Sequence, residues 1–170
     1  MQISPTPSRP HMPGYGLLGP TEGRGLLPWE RAHERLAASH DYWLATVRPD
    51  TRPHLMPVWG AWDGDALWFS SANGSRKATN LRTDPRCSIA TDNPYQPVVL
   101  EGHARIVSDR QQLSRALELE NRKYGTDYGV EMLDPEHNTW FAFRPTWAFA
   151  LDEDDFTGTP TRWSFTLSAP

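Results

Sequence analysis

The sequence predicts a mainly β, α+β domain. The expected architecture is a closed or half-closed antiparallel barrel of about seven short strands, with three helices at the connections. Three observations carry this. Aromatic and β-branched runs recur from residue 42 onward. Turn chemistry separates the runs closely enough for hairpins. The strand–helix–strand alternation that builds parallel sheets is missing.

The elements follow in order. Residues 1–27 are rich in Pro and Gly and lack periodicity, so they are read as an extended N-terminal arm. Residues 28–170 form the barrel domain. Pro28 opens a helix to about Ser39, because Pro is tolerated in a first turn and Trp29, Ala32 and Leu36 share one face. YWLATV (42–47) is a strand, and 48–53 is a turn with two prolines. HLMPVWGAW (54–62) is a second strand, at an edge or bulged because it contains Pro57 and Gly60. Asp63-Gly64 turns the chain into ALWFSS (66–71). A short helix spans 75–84, and CSIATD (87–92) is a strand.

In VVLEGHARIV (98–107), Val98, Leu100, Gly102, Ala104 and Ile106 alternate onto one face. Ser108 and Gln111 match a capping box for a helix carrying Leu113, Ala116, Leu117 and Tyr124 and closing at Gly125. TWFAFRP (139–145), TWAFALD (146–152) and TRWSFTL (161–167) are three more strands. The acidic run 152–155 between the last two reads as a solvated turn.

Composition narrows the function. A formal charge of −4 gives no basic surface for nucleic acid or an anionic membrane. No apolar run reaches the ~20 residues of a membrane helix, and the first residues lack a signal core. A cytoplasmic protein is expected. Cys87 is the single cysteine, so no intrachain disulfide forms, and it is read as a small core residue. The six His show no metal-ligand spacing, so no metal is expected. No Ser sits in a nucleophile elbow. Eight Trp are more than a core of this size needs, which points to a subunit contact.

One segment stands out: WFSSANGSRKATNLRTDP (68–85). Arg76 and Lys77 occupy the first turn of the short helix, where the helix dipole favours acids. Ser70 and Ser71 offer hydroxyls, Gly74 permits close backbone approach, and Ser75 is a plausible N-cap. Arg76 suits a two-point grip on phosphate, and Lys77 adds a point charge. On the residues alone, an anion site and a solvated turn with two surface cations remain equally open.

This segment resembles the phosphate-gripping motif of the pyridoxamine 5′-phosphate oxidase family and the related split-barrel flavin and deazaflavin oxidoreductases. The matching residues are Phe69, Ser70 and Ser71, then Ser75, Arg76 and Lys77, then Leu81, Asp84, Pro85 and Arg86. The upstream hairpin resembles the one beneath that family's isoalloxazine ring. VVLEGHARIV resembles its next barrel strand, and TRWSF the closing strand of the deazaflavin-binding branch.

The resemblance covers about residues 28–167. It implies an FMN-binding-like split β-barrel homodimer, with cofactor sites at the subunit interface. The implied cofactor is FMN or F420, with the TRW strand and Arg-rich composition leaning toward F420. Arg76 and Lys77 would hold the phosphate, with Ser70, Ser71 and Asn80 beside it. Main-chain groups of Met56, Pro57 and Val58 would face the ring edge. Trp59, Gln96 and Trp163 are further candidate contacts. Leu55 and Gly60 stand where the oxidases carry an Arg and a substrate-binding Lys, and the oxidases' Tyr/Arg/Ser cluster has no match.

The expected activity is therefore hydride transfer to or from a small conjugated organic substrate other than pyridoxamine phosphate, with no catalytic side chain assigned. The alternative is a non-catalytic barrel binding flavin or haem for sensing, storage or scavenging, with His54 as the one candidate axial ligand.

Overall fold

The computed structural model describes residues 5–165. Its strands are β1 (Thr6–Ser8), β2 (Tyr42–Val47), β3 (Pro53–Val58), β4 (Ala61–Trp62), β5 (Leu67–Ala72), β6 (Arg86–Thr91), β7 (Val98–Ile106), β8 (Asn138–Ala150) and β9 (Thr161–Ser164). Three helices lie at connections: α1 (Trp29–Ala38), α2 (Arg76–Thr83) and α3 (Arg110–Tyr124). The strands make one nine-stranded antiparallel sheet in the order β1-β9-β8-β7-β6-β2-β3, with β5 also on β8 and β4 on β5. The sheet curls without closing, so β3 is an edge. This is the split form of the expected barrel.

Alternation fills the interior. Tyr42 and Leu44 of β2, Leu67 and Phe69 of β5, Ile89 of β6, and Val98 and Leu100 of β7 all point inward and are buried. They meet Phe141, Phe143 and Trp163, and Phe69 stacks on Phe141 at 5.2 Å. Helix α1 plugs one opening with Ala32 and Leu36. β5 is buried on both faces. Ala66 and Trp68 turn outward to meet Ala116 and Leu117 of α3, together with Trp140. A strand covered on both sides reads as a continuous apolar run, as ALWF does.

Four details differ from expectation. The two strands expected at 139–145 and 146–152 are one strand, β8. Pro145 is accommodated at a register shift opposite Gly102, where β8 bends. A Cβ on Gly102 would lie 2.1 Å from the Arg144 carbonyl oxygen, so only Gly permits this approach. The strand expected over 54–62 breaks at Trp59-Gly60 into β3 and β4. Asp109, not Ser108, caps α3, accepting from the Gln112 N–H at 2.9 Å.

The fourth difference is the arm, which is part of the barrel. Thr6–Ser8 pairs with β9, and Leu27 is buried with its N–H on Thr161 Oγ1. The acidic run is its anchor and not a free turn. Asp152 is buried between Arg24 and Arg35, and Asp154 and Asp155 also pair with Arg24. Among the described residues no helix is long and apolar enough to cross a membrane.

Candidate functional site

The site is built where α2 crosses the inner face of the β2–β3 hairpin. The hairpin turns through Thr51, held at φ 67°. The Thr51 and Arg48 main chains and the Arg48 N–H to Arg52 carbonyl bond (3.0 Å) close it. From there the register runs one-to-one to Tyr42↔Val58. Antiparallel pairs alternate between bonded and non-bonded positions. His54, Met56 and Val58 therefore direct their main-chain groups at β2, and Pro53, Leu55 and Pro57 direct theirs at the open edge. Both prolines sit where no ladder bond is lost.

On the inner face, Thr46, Arg48 and His54 lie beneath α2. Asn80 is fully enclosed, and its Nδ2 donates to Thr46 Oγ1 at 2.9 Å, fastening the helix to the sheet. Ser75 caps α2 as expected. Its Oγ accepts from the Ala78 N–H at 3.2 Å and lies 2.7 Å from Ser71 Oγ. Arg76 and Lys77 follow directly. Neither has a carboxylate partner among the described residues. Asp84, at the far end of α2, is held at about 2 by Arg86, which grips it across Pro85. That arginine is thus engaged locally.

The charges converge on His54. Burial lowers its pKa, and Arg48, Lys77 and Arg76 each push it further down. Arg48 also keeps its Nε buried without a hydrogen-bond partner. Three cations gather around this imidazole, and Asp50, the acid that acts on Arg48, is itself paired with Arg52, which leaves a positive recess that an anion would complete. Arg48 is the residue the sequence reading overlooked. The available signal was its two-residue spacing from Thr46, which puts it on the α2 face of β2.

The other candidates divide. Ser71 is at the site but occupied by Ser75. Ser70, one residue earlier, points to the opposite face, toward Trp68 and α3. Asn80 is buried and fastens α2 through Nδ2, while its Oδ1 has no hydrogen-bond partner among the described residues. The main-chain groups of Met56 and Val58 serve β2, so the free groups along the edge are those of Leu55 and the Pro57 carbonyl. Trp59 lies at the other end of β3 from His54, 41% exposed and stacked on Tyr124 at 4.2 Å. Trp163 is wholly enclosed in the core against Trp29, so it presents no face to a ring. Gln96 is exposed in the β6–β7 loop beside Glu153 and Asp154, at the opposite end of β6 from α2. Among the described residues no group of acids, His and Cys could hold a metal ion.

Comparison with known proteins bears on this arrangement. Among solved structures, the chain resembles a conserved hypothetical protein, Rv2991 from Mycobacterium tuberculosis, at 25% identity and TM-score 0.66, over 75% of this chain and 86% of that one. It resembles an F420 reductase at 29% identity and TM-score 0.56, over 68% of this chain and 94% of that one. A heme-binding protein from Mycobacterium smegmatis shares the fold at 20% identity and TM-score 0.57, over 76% and 60% of the two chains. No curated protein matches. The sequence profile for pyridoxamine 5′-phosphate oxidase matches residues 29–152, from the start of α1 through β8 and including the whole α2 recess. With the split barrel in place, that match establishes that the chain belongs to the pyridoxamine 5′-phosphate oxidase family.

Proposed function

We propose that the recess formed by Arg76, Lys77, Arg48 and His54 holds the phosphate of a flavin-type cofactor, FMN or F420. The protein would then be an oxidoreductase acting on a small conjugated organic substrate. The observation that carries this reading is the pair of unpartnered cations in the first turn of α2, joined by Arg48 with its own unpartnered Nε. Backbone N–H groups at the start of α2 reinforce the same site.

The hairpin sets the rest of the pose. From His54 to Trp59, β3 extends roughly 16 Å at ~3.3 Å per residue. A ligand anchored at α2 would therefore run along an edge that offers the Leu55 N–H and the carbonyls of Leu55 and Pro57. When bound, such a cofactor supplies hydride transfer at its ring. The chain's own residues bind, orient and shield it. Leu55 and Gly60, in place of the oxidases' Arg and Lys, direct the reading away from pyridoxamine phosphate as substrate.

The outer sheet face exposes Trp43 (45%), Val47 (40%) and Leu55 (57%), which supports a homodimer whose second copy covers this face. No nucleic acid or membrane enters this reading. A second reading keeps the ligand without turnover, because nothing in the recess needs to move a proton. Assays for substrate-dependent change in cofactor absorbance separate the two.

The test of the site is titration of FMN and of F420 into wild type and the Arg76→Ala/Lys77→Ala variant. Charge-assisted contacts are worth roughly 1.5–3 kcal/mol each, so the variant should bind at least about a hundredfold more weakly. The His54 pKa should also rise when the anion binds wild type. Equal affinity in the two proteins, or binding of neither cofactor, would overturn the proposal.

A further inference from the structure

One cavity belongs to no part of this site. It is a half-open cleft of about 640 Å³ between α3, the turn Val130–Leu133 and the start of β8. That is the size of a small-molecule pocket. Val107, Leu113, Leu133 and Trp140 form its apolar lining, and Arg82 and Arg110 are its cations. Arg82 is five residues from Lys77, roughly 140° around α2. The cavity is therefore on the opposite flank of the helix from the phosphate recess.

Three features show that this is more than a packing fault. The first is Ile106. It continues the inward face of β7, yet it is 53% exposed because the cavity lies where a core neighbour would be. Val130, also lining the cavity, is 74% exposed. The second is the hold on Arg82. Its guanidinium donates to the Asn73 carbonyl and Asn73 Oδ1, both at 2.9 Å, and to Thr139 Oγ1 at 2.6 Å. All three acceptors are uncharged, so the cation is fixed in place but not neutralised. The third is the balance of charge. Asp134 is the one acid lining the cavity, and it is already engaged by the Glu136 N–H at 2.9 Å and His137 Nδ1 at 2.8 Å. Arg110 has no hydrogen bond or ion pair among the described residues.

We infer that this cavity is a second ligand site, selective for a small amphipathic monocarboxylate. The carboxylate meets Arg82 and Arg110, and the hydrocarbon body lies on Val107, Leu113, Leu133 and Trp140. A pre-oriented guanidinium favours a planar carboxylate over a neutral head group of the same size.

Calorimetric titration of the full chain with octanoate and with 1-octanol tests this. Octanoate should bind saturably and at least about tenfold more tightly than octanol, the discrimination expected of one charge-assisted contact. Arg110→Gln, which breaks no internal contact, should remove most of that difference and leave octanol binding unchanged. Leu113→Trp should fill the cavity and abolish both. Saturating FMN or F420 should leave octanoate affinity unaltered, so failure here is distinct from failure of the α2 site. Equal affinity for octanoate and octanol, no saturable binding, or an octanoate affinity indifferent to Arg110→Gln and Leu113→Trp would overturn the inference.

Discussion

Glu120 gives the sharpest stability prediction. It lies in the last turns of α3, 5% exposed, and its Oε2 is buried with no hydrogen-bond partner. Burial raises its pKa from 4.5 to about 7, with Lys123 pulling weakly the other way. Lys123, three residues on, is directed elsewhere. Its Nζ donates to the Gly60 carbonyl at 2.7 Å and to Tyr42 Oη at 3.0 Å. The carboxyl therefore prefers its proton in the folded state more than in the unfolded chain. Below pH 4.5 both states are protonated and the group is neutral to stability. From 4.5 to 7 the unfolded chain releases the proton first, so stability falls as pH rises, and above 7 the cost is fully present.

A gap of about 2.5 units, with the opposing pull of Lys123 already included, at ~1.36 kcal/mol per unit makes that cost at most about 3 kcal/mol. Glu120→Gln keeps the shape and removes the titration. At pH 8 the variant should be the more stable protein, by up to about 3 kcal/mol. That corresponds to roughly 6–12 °C in Tm for a chain of this length. At pH 4 the two proteins should melt together. Thermal melts of both proteins from pH 4 to 8 provide the check. A variant less stable than wild type at pH 8, or a difference that does not depend on pH, would refute the reasoning.

Two other predictions rest on single contacts. Gly102→Ala forces a Cβ into the Arg144 carbonyl, a backbone atom that cannot rotate away, so it should cost about 3 kcal/mol or more in urea unfolding. Asp152→Ala leaves Arg35, whose side chain is 11% exposed, without its carboxylate. Breaking such a buried pair costs about 3–5 kcal/mol. Because Arg24 also loses one of its three carboxylates, limited proteolysis should cut within residues 9–27 faster than in wild type. Unchanged cleavage would show that the contacts to Asp154, Asp155 and Thr161 suffice to hold the arm.

The sequence was legible where the physics is local. Period-two alternation located the strands, and the Ser75 cap and Gly125 stop bounded their helices because each is set by neighbouring residues. Misreadings arose where a distant partner decides. Pro145 looked like a strand end until Gly102, on another strand, made room for it. Asp152 looked solvated because its partners Arg24 and Arg35 are 128 and 117 residues away in sequence. The family motif singled out Arg76 and Lys77, which the structure puts in the first turn of α2, but a positional match does not say which side chains are buried. Asn80 and Trp163 match by position yet are wholly enclosed, with Asn80 Oδ1 and Trp163 Nε1 left without hydrogen-bond partners. Arg48 was overlooked for the converse reason, since it enters the recess from a different element.

The open edge of β3 joins fold to function. An unpaired strand at the end of a curled sheet is normally a template for another chain. Here Pro53 and Pro57 occupy two of its three outward positions. The edge keeps its carbonyls but only one N–H, at Leu55. A partner strand would find alternate donors missing along the edge and could not form a regular ladder. A compact ligand needs no repeat, and a single donor between two acceptors suits it well. The same prolines that blurred 54–62 as a strand therefore disfavour a tenth strand on this edge. Under the proposed reading, the ligand would lie along that edge, beside the cations of α2.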